Sequence, residues 1–286
     1  MARTVYVNGR YLPYGQAGVH AEDRGFQFGD AVYEVCPVLG GRLVDESRHL
    51  ARLERSLSEL KIAPPMSRAA LGTVMRETVR RNRVLNGMVY LQVSRGAGPR
   101  DFLFPGEDVQ RTVVCLARSQ RRAAGEAQAA QGIAVKTMPD IRWGRPDIKT
   151  VQLLPSVLAK EAARAAGAKE AWLVDRDGFV TEGGSSNAWI ITADGKLVTR
   201  QADGGILRGI TRSVLVDALA GEGLTLEERR FSVAEAKKAK EAFITSATNF
   251  VMPVIAIDGE PVGDGRPGPA CKRLRALFLA SVEYSA

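Results

Sequence analysis

The sequence predicts an α+β fold of two domains. Strands and helices mix in both halves without the sustained βαβ rhythm of a parallel sheet. Several strands pair across tight-turn residues, Asn8-Gly9, Gly40-Gly41 and Asp175 to Gly178, which mark antiparallel hairpins. The 286 residues are too many for one small core and suit two domains of ordinary size.

In chain order, Thr4 to Val7 and Arg10 to Pro13 form the first hairpin. Ala31 to Val38 is a strand that Gly40-Gly41 turns into Arg42 to Val44. A helix follows over Glu46 to Leu60, because Leu50, Leu53, Leu57 and Leu60 recur at three and four residues. A second helix covers Ser67 to Asn82, and strands cover Met88 to Ser94 and Arg111 to Ala117. Residues 121–132, rich in Arg, Ala, Gln and Gly, read as a linker between a smaller α+β domain at 1–120 and a larger one at 133–286. In the second domain Ile133 to Met138 is a strand. Pro155 to Ala166 is a helix with proline in its first turn, where the missing N–H costs nothing. Ala171 to Val174 and Phe179 to Thr181 form a hairpin, and Asn187 to Thr192 is a strand. A helix opens at Ile210 and runs to Leu219. Phe243 to Thr245 and Pro253 to Ile257 are strands, and Ala270 to Val282 is a closing helix.

Composition narrows the function. Hydrophobic residues make up 45% and charged residues 25%, the balance of a globular protein. No apolar run is long enough to span a bilayer, and the start, Met1 to Val7, lacks the apolar region of a signal peptide. A cytoplasmic location is the default expectation. The net charge of +8 raises a nucleic-acid or other basic binding protein as an alternative. However, the 40 basic residues are interspersed with 32 acids and form no stripe with interleaved aromatics. Cys36, Cys115 and Cys271 are far apart, with no pair at metal or redox spacing. With only His20 and His49 available, neither a metal site nor serine–histidine hydrolysis is expected. Lysine, arginine, tyrosine and carboxylates are left to carry any chemistry.

Four stretches could do so. Lys149 lies in Arg142 to Val151, between Ile148 and Val151, where partial desolvation would make its amine nucleophilic near neutral pH. On local context alone a surface lysine is the simpler reading. In Val180 to Asn187, Glu182 precedes small polar residues that let a flat ring approach; a polar turn explains the same stretch. Leu207 to Arg212 opens a helix whose first N–H groups, with the Thr211 hydroxyl, suit an anion. Thr245 to Asn249 adds further donors, and Arg52 on the first long helix could supply counter-charge. Each also fits an ordinary cap, loop or surface arginine.

Taken in order, Asp23-Arg-Gly-Phe-Gln-Phe-Gly-Asp30, Val32-Tyr-Glu-Val35, Asp147-Ile-Lys149, Thr181-Glu-Gly183, Gly209-Ile-Thr-Arg212 and the Thr245-Ser246 loop resemble the class IV, fold type IV aminotransferases. The likeness covers nearly the whole chain. It is closest to the D-amino-acid transaminases across Asp147 to Lys160. The resemblance implies two α+β domains with pyridoxal 5′-phosphate between them, the larger one at 133–286 binding it, and a homodimer. It implies that Lys149 carries the cofactor as a Schiff base and acts as acid and base, and that Glu182 partners the pyridine nitrogen. Arg52, Ile210, Thr211, Ser246 and Ala247 then hold the phosphate, and Leu207 packs on the ring. Ala247 departs from the threonine often found there. The substrate carboxylate would meet Tyr33 and Arg100, the latter reaching in from the other subunit in the family. Phe102 stands where those transaminases often have histidine, which weakens the trap without abolishing it and would allow some turnover of hydrophobic (R)-amines. Transamination between D-amino acids such as D-alanine and D-glutamate and 2-oxo acids such as 2-oxoglutarate and pyruvate is the implied activity. A branched-chain L-amino-acid aminotransferase, an (R)-amine transaminase or an aminodeoxychorismate-lyase-like enzyme would share the cofactor residues.

Overall fold

The computed structural model describes residues 3–219 and 223–285. Met1 and Ala2, part of the start read as leaderless, lie outside them. Among the described residues no helix is long and apolar enough to cross a membrane. The chain divides into two compact units, each with its own sheet, and the expected α+β class holds in both.

The first unit comprises residues 1–122 with the short segments Ile148–Gln152 and Glu283–Ala286. Its strands are β1 (Thr4–Val7), β2 (Arg10–Pro13), β3 (Ala31–Leu39), β4 (Arg42–Leu43), β5 (Gly87–Ser94) and β6 (Thr112–Ser119), in the order β2-β1-β6-β5-β3-β4. They pair antiparallel throughout. Asn8 and Gly9 both take positive φ, 44° and 89°, as the tight turn between β1 and β2 requires. The helices are α1 (Arg24–Phe28), α2 (Glu46–Glu59) and α3 (Arg68–Arg81). Leu50, Leu53 and Leu57 of α2 are buried, as their spacing predicts, and α2 packs on β3. Truncating Leu53 or Leu57 to alanine would cost about 2–5 kcal/mol.

The second unit holds α4 (Arg122–Gln131), β7 (Ile133–Pro139), α5 (Leu154–Ala165), β8 (Glu170–Val174), β9 (Val180–Gly183), β10 (Asn187–Ile191) and β11 (Leu197–Thr199). It continues with α6 (Ile210–Ala218), β12 (Leu226–Glu228), α7 (Val233–Lys237), β13 (Glu241–Ser246), β14 (Phe250–Ile257), β15 (Glu260–Pro261) and α8 (Pro269–Ser281). The sheet runs β12-β11-β10-β13-β14-β7-β8-β9, with β15 added on β14. Parallel pairs (β11 with β12, β14 with β7, β7 with β8) are embedded among antiparallel ones. Trp172, Phe231, Ile190, Ile244 and Met252 form the heart of its core.

Two expectations are corrected. Residues 121–132 are not a linker: they carry α4. Alanine and glutamine are good helix formers, and Ala129 is buried in the core of the second unit. The division at 1–120 and 133–286 also misses a return of the chain. The segment around Lys149 belongs to the first unit, because its backbone bonds to β3.

Candidate active site

The expected residues fall into two groups, one in each unit. In the first unit, residues 148–152 run as an extra edge on β3. Tyr33 N donates to Lys149 O at 3.0 Å, Val151 N donates to Ala31 O at 3.1 Å, and Val32 bridges Thr150. From α2, the buried Ser56 hydroxyl accepts from Lys149 N at 3.3 Å. The Lys149 backbone is thus fixed from two sides. Its Nζ lies 4.3 Å from the centre of the Tyr33 ring, which stacks on Tyr90 at 5.5 Å. Lys149 and Tyr33 are therefore together, and both are half-buried.

Strand alternation turns Glu34 to the face opposite Tyr33, under α2. There Arg52 grips it with both arms, Nε to Oε1 and Nη2 to Oε2, each at 2.8 Å. His49 Nδ1 lies 2.7 Å from Oε2. Burial would raise the Glu34 pKa, but the Arg52 guanidinium overcomes this and holds it at about 2. Burial pushes the His49 pKa down, against the pull of Glu34, so the ring is neutral at neutral pH and donates from Nδ1. Glu34 and His49 were not singled out as site residues. The available signal was a carboxylate inside an otherwise apolar strand, which needs a charged partner when buried.

The Glu34–Arg52 pair has a testable pH signature. Because the Glu34 pKa is depressed on folding, its stabilisation is present above about pH 4.5 and is lost as pH falls toward 2. Its contribution at neutral pH is about 3 kcal/mol. In urea unfolding, Glu34→Gln should be less stable than the parent at pH 7, and the gap should narrow by pH 3. A gap that does not change with pH would count against this account.

Arg100 and Phe102 sit elsewhere in the first unit, on the loop joining β5 to β6. That loop leaves β5 at Ser94, which pairs with Ala31, two residues before Tyr33. Both residues are exposed, and they meet each other and Phe28, not Lys149.

In the second unit Glu182 is buried on β9. Its Oε1 accepts from Leu207 N at 3.2 Å and from the Arg142 guanidinium, and its Oε2 accepts from Asn187 Nδ2 at 2.9 Å. Arg142 is itself clamped by Asp140, at 2.9 and 2.7 Å, and Asp140 accepts from the Thr181 hydroxyl at 2.8 Å. Burial raises the Glu182 pKa, and Arg142 is the main influence pulling it back. Burial of Arg142 itself is outweighed by Asp140 and Glu182, so its pKa is raised and it stays cationic. Arg142 and Asp140 had no assigned role in the sequence, since nothing in their spacing shows that a turn brings them beneath Glu182.

Asn187 organises the remainder. Its amide also donates to Leu207 O at 2.9 Å, which seats Leu207 beside Glu182. A Cβ at Gly209 would collide with Asn187 Oδ1, so glycine is required just before α6. The amides of Ile210, Thr211 and Arg212 then open α6, where no residue of the helix itself can accept from them. Asn187 pairs with Thr245 across β10 and β13, one residue from Ser246. Ser246 and Ala247 begin the turn into β14, and Ser246 Oγ accepts from Asn249 N at 3.2 Å. The second unit thus gathers Glu182, Leu207, Ile210, Thr211, Ser246 and Ala247 around Asn187. A buried carboxylate paired with arginine, beside a helix start and a hydroxyl-bearing turn, is a donor set that fits a phosphate-bearing aromatic cofactor.

Comparison with known proteins agrees. The family model for amino-transferase class IV matches residues 31–257. The D-alanine aminotransferase of Staphylococcus haemolyticus is 38% identical over 279 residues, covering 98% of each chain. That of Bacillus licheniformis is 38% identical over 278 residues, covering 97% of this chain and 96% of the other. Among solved structures, the branched-chain amino acid aminotransferase of Escherichia coli superposes with a TM-score of 0.89 at 23% identity, over 98% and 94% of the two chains. A T.th. branched-chain amino acid aminotransferase, solved with pyridoxamine 5′-phosphate, gives 0.89 at 25% identity over 99% of both. With its ordered motifs, its fold and a family match over most of its length, the chain belongs to the class IV aminotransferases.

Proposed function

We propose that this protein is a pyridoxal 5′-phosphate-dependent aminotransferase that exchanges amino groups between D-amino acids, such as D-alanine and D-glutamate, and 2-oxo acids, such as pyruvate and 2-oxoglutarate. The observation that carries the substrate class is 38% identity with a D-alanine aminotransferase across 98% of both chains. The proposal includes a homodimer and a cytoplasmic location.

When bound, the cofactor supplies an electrophilic carbon and a ring that withdraws electrons from the substrate Cα. Lys149 anchors it, and its Nζ takes and returns the proton at the substrate Cα. The fixed backbone of residues 148–152 keeps that amine in place. Glu182 faces the ring nitrogen and would hold a proton there, and Arg142 pulls the Glu182 pKa back down against the effect of burial. Arg52, the amides of Ile210 and Thr211, and the Ser246-Ala247 turn bind the phosphate. Glu34 orients Arg52 and offsets its charge, so the N–H donors of α6 and the turn bear more of that binding. Leu207 packs on the ring. Tyr33 receives the substrate carboxylate together with Arg100, which reaches in from the other subunit of the proposed homodimer with Phe102 beside it.

A donor panel of both enantiomers tests the reading. D-alanine and D-glutamate should be turned over and their L-forms much less so. Arg100→Ala should raise the KM for D-alanine by about 10- to 100-fold, the worth of one hydrogen bond to a charged group. It should spare hydrophobic (R)-amines, which lack a carboxylate and which the Phe102 ring should admit. Preferential use of L-leucine or L-valine would move the assignment to the branched-chain enzymes.

A further inference from the structure

The stretch Asp23 to Asp30 carries part of the family resemblance but has no role in the chemistry above. Its geometry supplies one. Asp23 caps α1, its Oδ1 accepting from Gly25 N at 2.9 Å, and Gly29 ends the helix in a left-handed turn at φ 68°. This short helix delivers Asp30 between two buried arginines. Arg24 Nε and Arg95 Nε converge on the same Asp30 oxygen, Oδ2, at 2.9 and 2.7 Å, and Arg95 Nη2 reaches Oδ1 at 3.1 Å.

Each arginine then holds the β5–β6 loop at a different point. Arg24 Nη1 donates to Asp101 O at 2.7 Å, and its guanidinium lies 4.5 Å from the Phe28 ring centre. Phe28 in turn meets Phe102 edge-on at 5.8 Å and lies under Arg100 at 5.2 Å. Arg95 stacks on Phe104 at 3.7 Å while donating to Leu60 O and Lys61 O at 2.7 and 2.8 Å. The loop base is closed at Gly96, where a Cβ would collide with the Gln110 carbonyl, and Arg24 N donates to Gly96 O at 2.9 Å. One carboxylate therefore orients both grips on a loop whose tip, Phe102 to Phe104, is exposed.

We infer that Asp30 is a positioning residue for substrate recognition: through Arg24 and Arg95 it sets the placement of Arg100 and Phe102. This rests on the reading of Arg100 as the residue that meets the substrate carboxylate. Without the Asp30 charge the two guanidiniums face each other without an anion, Arg24 loses its orientation toward Asp101 O, and the loop loosens. The reacting atoms are untouched, so the effect falls on substrate affinity rather than on the rate at saturation.

The experiment compares holoenzyme forms of the parent, Asp30→Asn, Asp30→Glu, Arg24→Lys and Arg100→Ala with D-alanine and pyruvate. Asp30→Asn should raise the KM for D-alanine about tenfold, as expected for a displaced charge-assisted contact, with kcat within about twofold. Asp30→Glu should recover part of the loss. Deuterium exchange of the peptide spanning residues 97–106 should quicken about tenfold in Asp30→Asn, with the rest of the chain unchanged. Arg24→Lys keeps the charge balance but cannot span Asp30, Asp101 O and the Phe28 ring together. It should show the same KM and exchange changes, and it decides the matter if Asp30→Asn does not fold. An unchanged KM, or a fall in kcat with no change in KM, overturns the inference while Arg100→Ala still raises KM. If Arg100→Ala itself leaves KM unchanged, the carboxylate reading fails and the inference falls with it.

Discussion

Replacing Lys149 with alanine is expected to lower the rate with D-alanine and pyruvate by at least about 10⁴-fold, since in the proposed mechanism one amine supplies both the covalent anchor and the proton transfer. Borohydride should fix the cofactor to the parent enzyme at the peptide containing Lys149 and leave the variant unlabelled. Added methylamine should restore part of the proton transfer. The competing candidate nearby in sequence is Lys160, but its Nζ is engaged by Ser185 Oγ at 2.8 Å and Glu170 at 3.3 Å. Lys149 instead faces the Tyr33 ring. If the label appeared on Lys160, the central assignment would be wrong.

Glu182→Gln should retain the cofactor yet slow both half-reactions by about 100- to 1,000-fold, the usual loss when one preorganised charge is removed from a developing charge. Arg142→Met provides a complementary test with a definite sign. Burial raises the Glu182 pKa and Arg142 opposes it, so without Arg142 the pKa rises further. The variant should then lose activity as pH falls through a range where the parent is flat, and recover as pH rises and Glu182 ionises. A defect of equal size at every pH would mean that Arg142 acts only on structure. Parent-like rates in rapid mixing for Glu182→Gln would remove Glu182 from the mechanism.

What the sequence revealed depended on whether the governing interaction was local. The Asn8-Gly9 turn and the leucine period of α2 involve residues within a few positions of each other, and the structure reproduces both. The ordered motifs singled out Lys149 and Glu182 as candidates, and the structure brings the candidate residues of the second unit together around Asn187. Arg142 under Glu182, and Asp30 between Arg24 and Arg95, depend on chain returns that no periodicity encodes. The α4 segment was misread for a different reason. Its side chains are small and polar, with only Ala129 buried, so the helix has almost no apolar stripe to detect.

The interleaved path of the chain also bears on the order of assembly. A ribosome that has released the first 122 residues has made β1 to β6, yet the β3 edge at Ala31 to Tyr33 still awaits residues 148–152. The turn at Asp45 waits longer still, for Glu283, which both donates to it and accepts from it at the far end of the chain. An open strand edge invites mispairing. The nascent first unit therefore depends on sequence made later, and excising residues 1–122 should yield an aggregation-prone fragment rather than an autonomous domain. The lysine proposed to carry the chemistry sits on a late-arriving segment that closes an early sheet.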